Sequence, residues 1–193
     1  PDGSVAVPAE MLYKKNVITI RGSFRPVTNL NEDMIEQGKK AFLKQQGVTE
    51  SDTVAIAEIS INDAYGNDAK FPEDDLIARV QLLNSLGYNV MVSDYTRYFS
   101  LRAYFRQYTK KHIGIVVGMV NVKQIFDESF YRGVEGGILE GFGKLFPDNT
   151  KLFVYPERAD VGQPRTFNEV KVPERLRCFD RQLLENDFVA GIE

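Results

Sequence analysis

The sequence is poor in the residues that most often carry catalytic or metal chemistry. Among 193 residues there is one cysteine, Cys178, one histidine, His112, and no tryptophan. A single cysteine excludes a disulfide framework and a site built from several thiolates. A single histidine argues against a multi-histidine zinc site, and it leaves His112 as the one candidate base for a Ser-His-Asp triad. Disulfide scaffolds and zinc enzymes are therefore disfavoured.

Two further features are missing, a long hydrophobic run and an excess of positive charge. No apolar stretch approaches the length of a membrane span, and the first fifteen residues lack the basic start and apolar core of a signal peptide. The net charge of -3 and the pI near 5.4 argue against a general nucleic-acid binder. We therefore expect a cytoplasmic protein with neither a membrane nor nucleic acid among its partners, and homo-oligomerisation is left open.

The sequence does contain short apolar runs that alternate regularly with segments of helical periodicity. The chain is 43% hydrophobic and 26% charged, as is usual for a globular domain. Apolar, β-branched runs predict strands at residues 16–20, 53–61, 88–94, 113–118 and 151–156. Segments with helical periodicity follow these runs, so the prediction is a parallel sheet with right-handed crossovers. The predicted fold is an α/β, Rossmann-like three-layer domain with about five parallel strands.

The predicted domain organisation is simple. Residues 16–193 are predicted to form the one domain, and residues 1–15 an N-terminal extension or linker. Helices are predicted at residues 31–47, 72–87, 97–111, 133–146 and 174–187. Asn29 or Asn31 is the expected cap of the first of these helices. In the segment 97–111, Arg102 and Arg106 are expected on a solvated helix face.

The segment "RGSFRPVTNLN", residues 21–31, joins the first predicted strand to a helix. In open α/β sheets the ligand binds beyond the carboxyl ends of the strands, so this loop lies where a site is expected. Gly22 permits close approach of a phosphate, and Arg25 offers a fixed positive fork. Thr28 and Asn31 add neutral hydrogen-bonding groups beside the helix N-terminus. The sequence therefore predicts a phosphate site, with an ordinary capped loop as the alternative.

This segment resembles the first motif of the nucleotidyltransferases that include the phosphopantetheine and nicotinate or nicotinamide mononucleotide adenylyltransferases. The residues that match are Gly22, Ser23, Phe24, Pro26, Thr28 and Asn29. Arg25 stands where that family has Asp, and Leu30 and Asn31 stand where it has Gly and His. The resemblance implies a nucleotidyltransferase-like fold that binds ATP with Mg²⁺ and a mononucleotide or other phosphorylated metabolite.

The same resemblance implies a set of site residues. Asn31 and Arg25 are the candidate catalytic residues: Asn31 stands where the family has the histidine that binds the triphosphate, and Arg25 stands in the same motif with a positive charge. The candidate nucleotide-binding residues are Gly22, Ser23, Phe24, Thr28 and Gly118. Arg97 is a further candidate on its position alone, because it comes just after the third predicted strand and is expected to face the cleft, with a solvated helix face as the alternative. Asn31 offers a neutral hydrogen bond and cannot become a cation, whereas Arg25 can replace part of the lost charge. The alternatives are a non-catalytic ligand-sensing or assembly domain and a structural domain without a nucleotide.

A second resemblance covers more of the chain. The runs "RGSFRPVTNLNEDM", "YFSLRAYFRQYTKKHIGIVVG" and "EGGILEGFGKLF" are similar to the C-terminal half of an uncharacterised bacterial family. Its members carry the labels nicotinate-nucleotide adenylyltransferase or TonB-dependent receptor. This resemblance implies a longer natural protein with a further N-terminal domain.

No dedicated metal site is predicted. Asn62 and Asp63 follow the second predicted strand and Asp94 ends the third, so Asp63 and Asp94 could each help to hold Mg²⁺ together with phosphate oxygens. The alternative for both residues is an ordinary loop anchor. The family's late triphosphate signature has "QPRTFNEV", residues 163–170, as its nearest counterpart, and the match is poor.

Overall fold

The computed structural model describes residues 4–61, 72–147, 149–157 and 172–192. The strands are β1 (Asn16–Arg21), β2 (Thr53–Ser60), β3 (Asn89–Ser93), β4 (Ile113–Gly118), β5 (Thr150–Tyr155) and β6 (Val189–Gly191). The helices are α1 (Pro8–Leu12), α2 (Asn29–Leu43), α3 (Glu73–Ser85), α4 (Tyr98–Tyr108), α5 (Met119–Ile125), α6 (Gly137–Leu145) and α7 (Arg177–Glu185). Short 3₁₀ turns lie at Glu50–Asp52, Glu128–Tyr131 and Glu174–Leu176.

The six strands form one sheet in the order β3-β2-β1-β4-β5-β6, and every neighbouring pair is parallel. Helices cover both faces, so the Rossmann-like three-layer prediction is confirmed. The prediction of about five strands was one strand short. The missed strand β6 has three residues, and it forms because Leu152 and Val189 pair in register. A segment this short carries no periodicity of its own, so the sequence did not reveal the strand. The closing helix was predicted to extend to residue 187, whereas it ends at Glu185.

Two hydrophobic cores lie on the two faces of the sheet. One packs α2 and α3 against the sheet through Ile35, Phe42 and Leu83. The other packs α4 to α7 through residues such as Leu101 and Phe142. This division follows from the strand order, because right-handed crossovers to the left and to the right of β1 place their helices on opposite faces. Burial of such side chains contributes about 1.5–3 kcal/mol each to the stability of the fold.

Helix α2 lies unusually close to the central strand β4. A Cβ atom on Gly38 would lie 2.4 Å from Val116 Cγ2, and one on Gly114 would lie 2.6 Å from the Phe42 ring. Glycine at both positions therefore lets the helix and strand backbones approach each other. Every residue of β4 before Gly118 is buried, as expected for a central parallel strand covered on both sides. The close packing brings the first turn of α2 to the carboxyl end of β4.

Two arginines of α4 are not on a solvated face, contrary to the prediction. Arg102 and Arg106 are only 8% and 9% exposed. Arg102 donates to the Pro147 carbonyl at 3.0 Å, and Arg106 donates to the Lys111 carbonyl at 2.8 Å. The helix crosses the starts of β4 and β5, where backbone carbonyls outside the sheet need donors. Tertiary packing, which the charge pattern does not show, therefore buries both guanidinium groups.

The N-terminal residues include a short helix that contacts the core. Leu12, the last residue of α1, is 1% exposed and packs in the core on the α4 side. The hydroxyl of Thr109 donates to the Lys15 carbonyl at 2.6 Å, which joins the start of β1 to the end of α4. No helix among the described residues is both long and apolar enough to cross a membrane.

Candidate functional site

The strand order reverses at the carboxyl edge of the sheet between β1 and β4, and the space beyond these two strand ends is called the crevice below. From β1 the chain goes to β2 on one side, and from β4 it goes to β5 on the other, so the order reverses between β1 and β4. Ligands of open α/β sheets bind at this switch point. Helix α2, which follows the loop 22–28, reaches this edge, because Met34 Cε lies 3.9 Å from the place that a Cβ on Gly118 would occupy. The structure thus brings α2 and Gly118 together beside the crevice.

The turn after β1 is built around a buried aromatic ring. Phe24 is 2% exposed and packs in the core beneath α2 and α3, with a left-handed φ of 48°. Such a conformation costs roughly 1–2 kcal/mol for a residue with a side chain. A Cβ on Gly22 would lie 3.3 Å from the Phe24 ring, and the Gly22 amide donates to the Glu58 carbonyl at 3.1 Å. Phe24 therefore anchors the turn, and its ring lies in the core.

Helix α3 holds the middle of this loop. Arg79 Nη1 donates to the Ser23 carbonyl at 2.7 Å, and the same guanidinium forms an ion pair with Asp75 one turn away. Arg25 Nε lies 3.9 Å from Asp75 Oδ2, and the Arg25 side chain is 58% exposed. The hydroxyl-bearing Ser23 is itself exposed. The buried Arg79 thus holds the loop through a hydrogen bond, and Arg25 of the loop itself is exposed.

The first turn of α2 begins with a reciprocal cap. Thr28 is the N-cap, and the prediction of Asn29 or Asn31 was wrong because Thr28 lies one residue before the helix. Asn31 Oδ1 accepts from the Thr28 amide at 3.0 Å and from its hydroxyl at 2.9 Å. The amides of Asn29 and Leu30 donate to no described atom. They are the donors that the helix presents at the crevice, together with the positive end of its dipole.

The other side of the crevice is the start of α5. The Gly118 amide donates to Asn121 Oδ1 at 3.2 Å, which caps this helix. Val120 in its first turn is 69% exposed, and Leu30 in the first turn of α2 is 53% exposed. The rim beyond them is polar, because the Tyr155 hydroxyl donates to the Asp33 carboxylate. The crevice thus combines helix N-termini with exposed aliphatic side chains.

Arg97, predicted to face the cleft, binds backbone carbonyls. Its Nε donates to the Phe130 carbonyl at 3.1 Å, and its Nη2 donates to the Arg132 carbonyl at 2.7 Å. This guanidinium therefore joins the start of α4 to the 3₁₀ turn after α5. Of the two acids considered for Mg²⁺, Asp94 is exposed and Asp63 lies outside the described residues. The described part of the chain contains no group of three or more acidic, histidine or cysteine side chains that could hold a metal.

A buried polar network that the sequence analysis did not find lies at the carboxyl ends of β1, β2 and β3. The Arg21 guanidinium at the end of β1 pairs with Glu58 of β2 and donates to the Thr96 carbonyl at 3.1 Å. The Ser93 hydroxyl donates to the same carboxylate, and the guanidinium lies 4.8 Å from the centre of the Tyr98 ring. The sequence does carry a signal of this network, because each of two otherwise apolar runs contains one charged residue. Arg21 ends the run "NVITIR", and Glu58 lies within the run "VAIAEIS".

Comparisons with known proteins do not identify this chain. No protein-family model matches it, and no curated protein matches it. The nucleotidyltransferase assignment therefore stays a prediction that depends on the resemblance of residues 22–31.

Proposed function

We propose that the crevice between β1 and β4 binds a nucleotide or another phosphorylated small molecule, as in the adenylyltransferase-like proteins that residues 22–31 resemble. The reversal of strand order at this crevice is the observation that carries the proposal. It places the loop after β1 and the N-terminus of the 15-residue helix α2 beside the carboxyl end of β4. A strained residue in such a loop supports a functional role, because left-handed conformations like that of Phe24 concentrate at ligand sites.

The groups that would hold phosphate come from the loop and the helix. The amides of Asn29 and Leu30 are hydrogen-bond donors at the positive end of α2. Arg25 supplies a full positive charge on an exposed side chain. Ser23 is exposed in the turn that precedes these donors. A phosphate group fits this set better than a neutral ligand, because the set combines a full positive charge with amide donors at the positive end of a helix dipole.

ATP and Mg²⁺ are the expected ligands if the resemblance holds. The described residues offer no cluster of carboxylates for Mg²⁺, so its ligands would be mainly phosphate oxygens and water, as is common for this ion. Adenylyl transfer would then require Arg25 to stabilise charge on the transferred phosphate, since Asn31 stays neutral. The expected location remains the cytoplasm.

A second candidate, binding without turnover, has one specific observation in its favour. Asn31 stands where the related enzymes have a histidine, and its Oδ1 is engaged by both donors of Thr28. This geometry orients the Asn31 side chain toward the helix cap. A residue held in that way supports the helix more directly than it supports a transition state. A ligand-sensing or assembly domain is therefore the alternative to an enzyme.

Calorimetric titration with ATP, with and without Mg²⁺, tests the proposal, followed by nicotinate and nicotinamide mononucleotide. We expect binding that Arg25→Ala weakens about tenfold or more, because a charge-assisted hydrogen bond is worth about 1.5–3 kcal/mol. Arg181→Ala, an exposed arginine of α7, is the matched control and should leave the affinity unchanged. Release of pyrophosphate from ATP and a mononucleotide would then separate the enzyme from the non-catalytic alternative. Folded protein that binds none of these ligands would refute the proposal.

A further inference from the structure

Arg79 and Arg25 both lie close to the carboxylate of Asp75, but only Arg79 contacts it directly. Arg79 is 5% exposed, and its guanidinium is in direct hydrogen-bonding contact with Asp75. Arg25 is 58% exposed, and its Nε lies 3.9 Å from Asp75 Oδ2, which is beyond hydrogen-bonding distance. Asp75 itself is partly exposed, with 33% of its side chain accessible. Arg25 is therefore the loosely held member of this cluster.

The tightly held member has a structural task of its own. Arg79 Nη1 donates to the Ser23 carbonyl at 2.7 Å, so the buried guanidinium connects α3 to the turn that precedes Arg25. Electrostatic contacts are stronger and less screened in such a buried place than at the surface. Departure of Arg25 from Asp75 would leave both the turn and the Asp75 carboxylate in contact with Arg79. The arrangement permits Arg25 to move without disturbing the loop that carries it.

We infer that Asp75 competes with the phosphate of the ligand for Arg25, and so sets the affinity of the crevice for phosphorylated molecules. This inference rests on the proposed function, since it concerns the same site. In the free protein the carboxylate of Asp75 offers Arg25 a weak, solvent-screened partner. A bound phosphate offers charge-assisted and two-pronged hydrogen bonds, which a guanidinium at 3.9 Å from a carboxylate lacks. Binding therefore exchanges one anionic partner of Arg25 for another.

Removal of the competing charge tests this exchange. Asp75→Asn should lower the Kd for ATP roughly two- to fivefold, as expected for loss of an exposed ion pair. Asp74→Asn is the matched control: it makes the same change of charge on the neighbouring residue of α3, an exposed acid that forms no ion pair with a described residue. It should leave the Kd within experimental error. In an Arg25→Ala background, Asp75→Asn should no longer improve the affinity. An equal gain with and without Arg25 would overturn the inference.

A second measurement on the wild-type protein does not depend on how well Asp75→Asn folds. The Nε–Hε groups of arginines give separate NMR signals, and the signal of Arg25 is identified by its loss in Arg25→Ala. Titration with inorganic triphosphate should shift the Arg25 signal and leave that of Arg79 in place, because Arg79 stays on Ser23 and Asp75. An Arg25 signal that does not move, or an Arg79 signal that moves with it, would overturn the inference.

The two proposals fail in different ways. If ATP and inorganic triphosphate bind neither to the wild type nor to Asp75→Asn, the proposed function is refuted, and the exchange is refuted with it. If ATP binds to the wild type but Asp75→Asn binds no more tightly, the site stands and only the role of Asp75 is refuted.

Discussion

Arg21 and Glu58 form a two-pronged ion pair inside the protein. Arg21 Nε lies 2.6 Å from Glu58 Oε2, and Nη2 lies 3.2 Å from Oε1. The two side chains are 3% and 0% exposed. Because the same guanidinium donates to the Thr96 carbonyl, the pair links β1 and β2 to the loop after β3. The carboxyl edge of the sheet, where the candidate site lies, is therefore supported by a buried charge pair.

Glu58→Ala should destabilise the protein by about 3–5 kcal/mol, because it leaves the Arg21 guanidinium buried without its carboxylate. The free energy of unfolding from urea denaturation measures this. The control is the double variant Arg21→Met with Glu58→Met, which removes both charges and keeps most of the volume. It should lose far less stability than the single variant, since breaking a buried pair costs more than replacing it. Equal losses in the two variants would contradict this account of the pair.

The Thr28–Asn31 cap predicts a second, smaller effect. Thr28→Ala and Asn31→Ala should each cost about 0.5–2 kcal/mol, because each removes one half of the reciprocal cap of α2. The double variant should cost less than the sum, since both changes remove the same interaction. Asn31→Glu should retain most of the stability, as glutamate is favoured at this third helical position. Thermal unfolding of the four variants checks the prediction, and strict additivity of the two alanine changes would argue against a shared cap.

Gly38 is predicted to be intolerant of even one added carbon. In Gly38→Ala the new Cβ would lie 2.4 Å from Val116 Cγ2, in a contact between α2 and the central strand. We expect a loss of about 1–3 kcal/mol in the free energy of unfolding, as is typical of overpacked cores. Gly143→Ala in α6 is the matched control, because its Cβ would meet no atom within 4 Å. That variant should be as stable as the wild type or more stable, since alanine favours a helix over glycine by up to about 1 kcal/mol.

The single histidine predicts a pH dependence of stability. Burial, with a smaller effect of the nearby Arg106 charge, lowers the pKa of His112 below its ordinary value. The unfolded chain then binds more protons than the native protein as the pH falls through about 6.5, the usual pKa of histidine. His112 therefore contributes stability above that pH, and this contribution is lost as the pH falls toward the lower native pKa.

Urea denaturation between pH 5 and pH 7.5 should show this loss, and His112→Gln should reduce the slope over the same range. NMR titration of the one histidine gives the native pKa directly. A native pKa at or above 6.5 would contradict the prediction, since the sign of the pH dependence follows from the direction of the shift.

The sequence by itself determined the alternation of strands and helices and the central place of β4. The run "IGIVVG" has no polar face, and a strand without a polar face must be covered on both sides. The strand-to-helix loop at residues 21–31 was also visible, because glycine, proline and asparagine occur together there, although the capping residue proved to be Thr28. These features are local, so short-range patterns are enough to predict them.

The tertiary structure alone decided which side chains occupy the site. Phe24 is a core residue, Arg97 binds carbonyls, and Arg25 lies beside Asp75, which is fifty residues away in the chain. Nor could periodicity show that Arg21 meets Glu58, since that contact depends on the register of two parallel strands. The strand order that opens the crevice comes from packing as well. Long-range contacts of this kind depend on how complete helix and sheet faces pack against each other, and no short segment of the sequence specifies that packing.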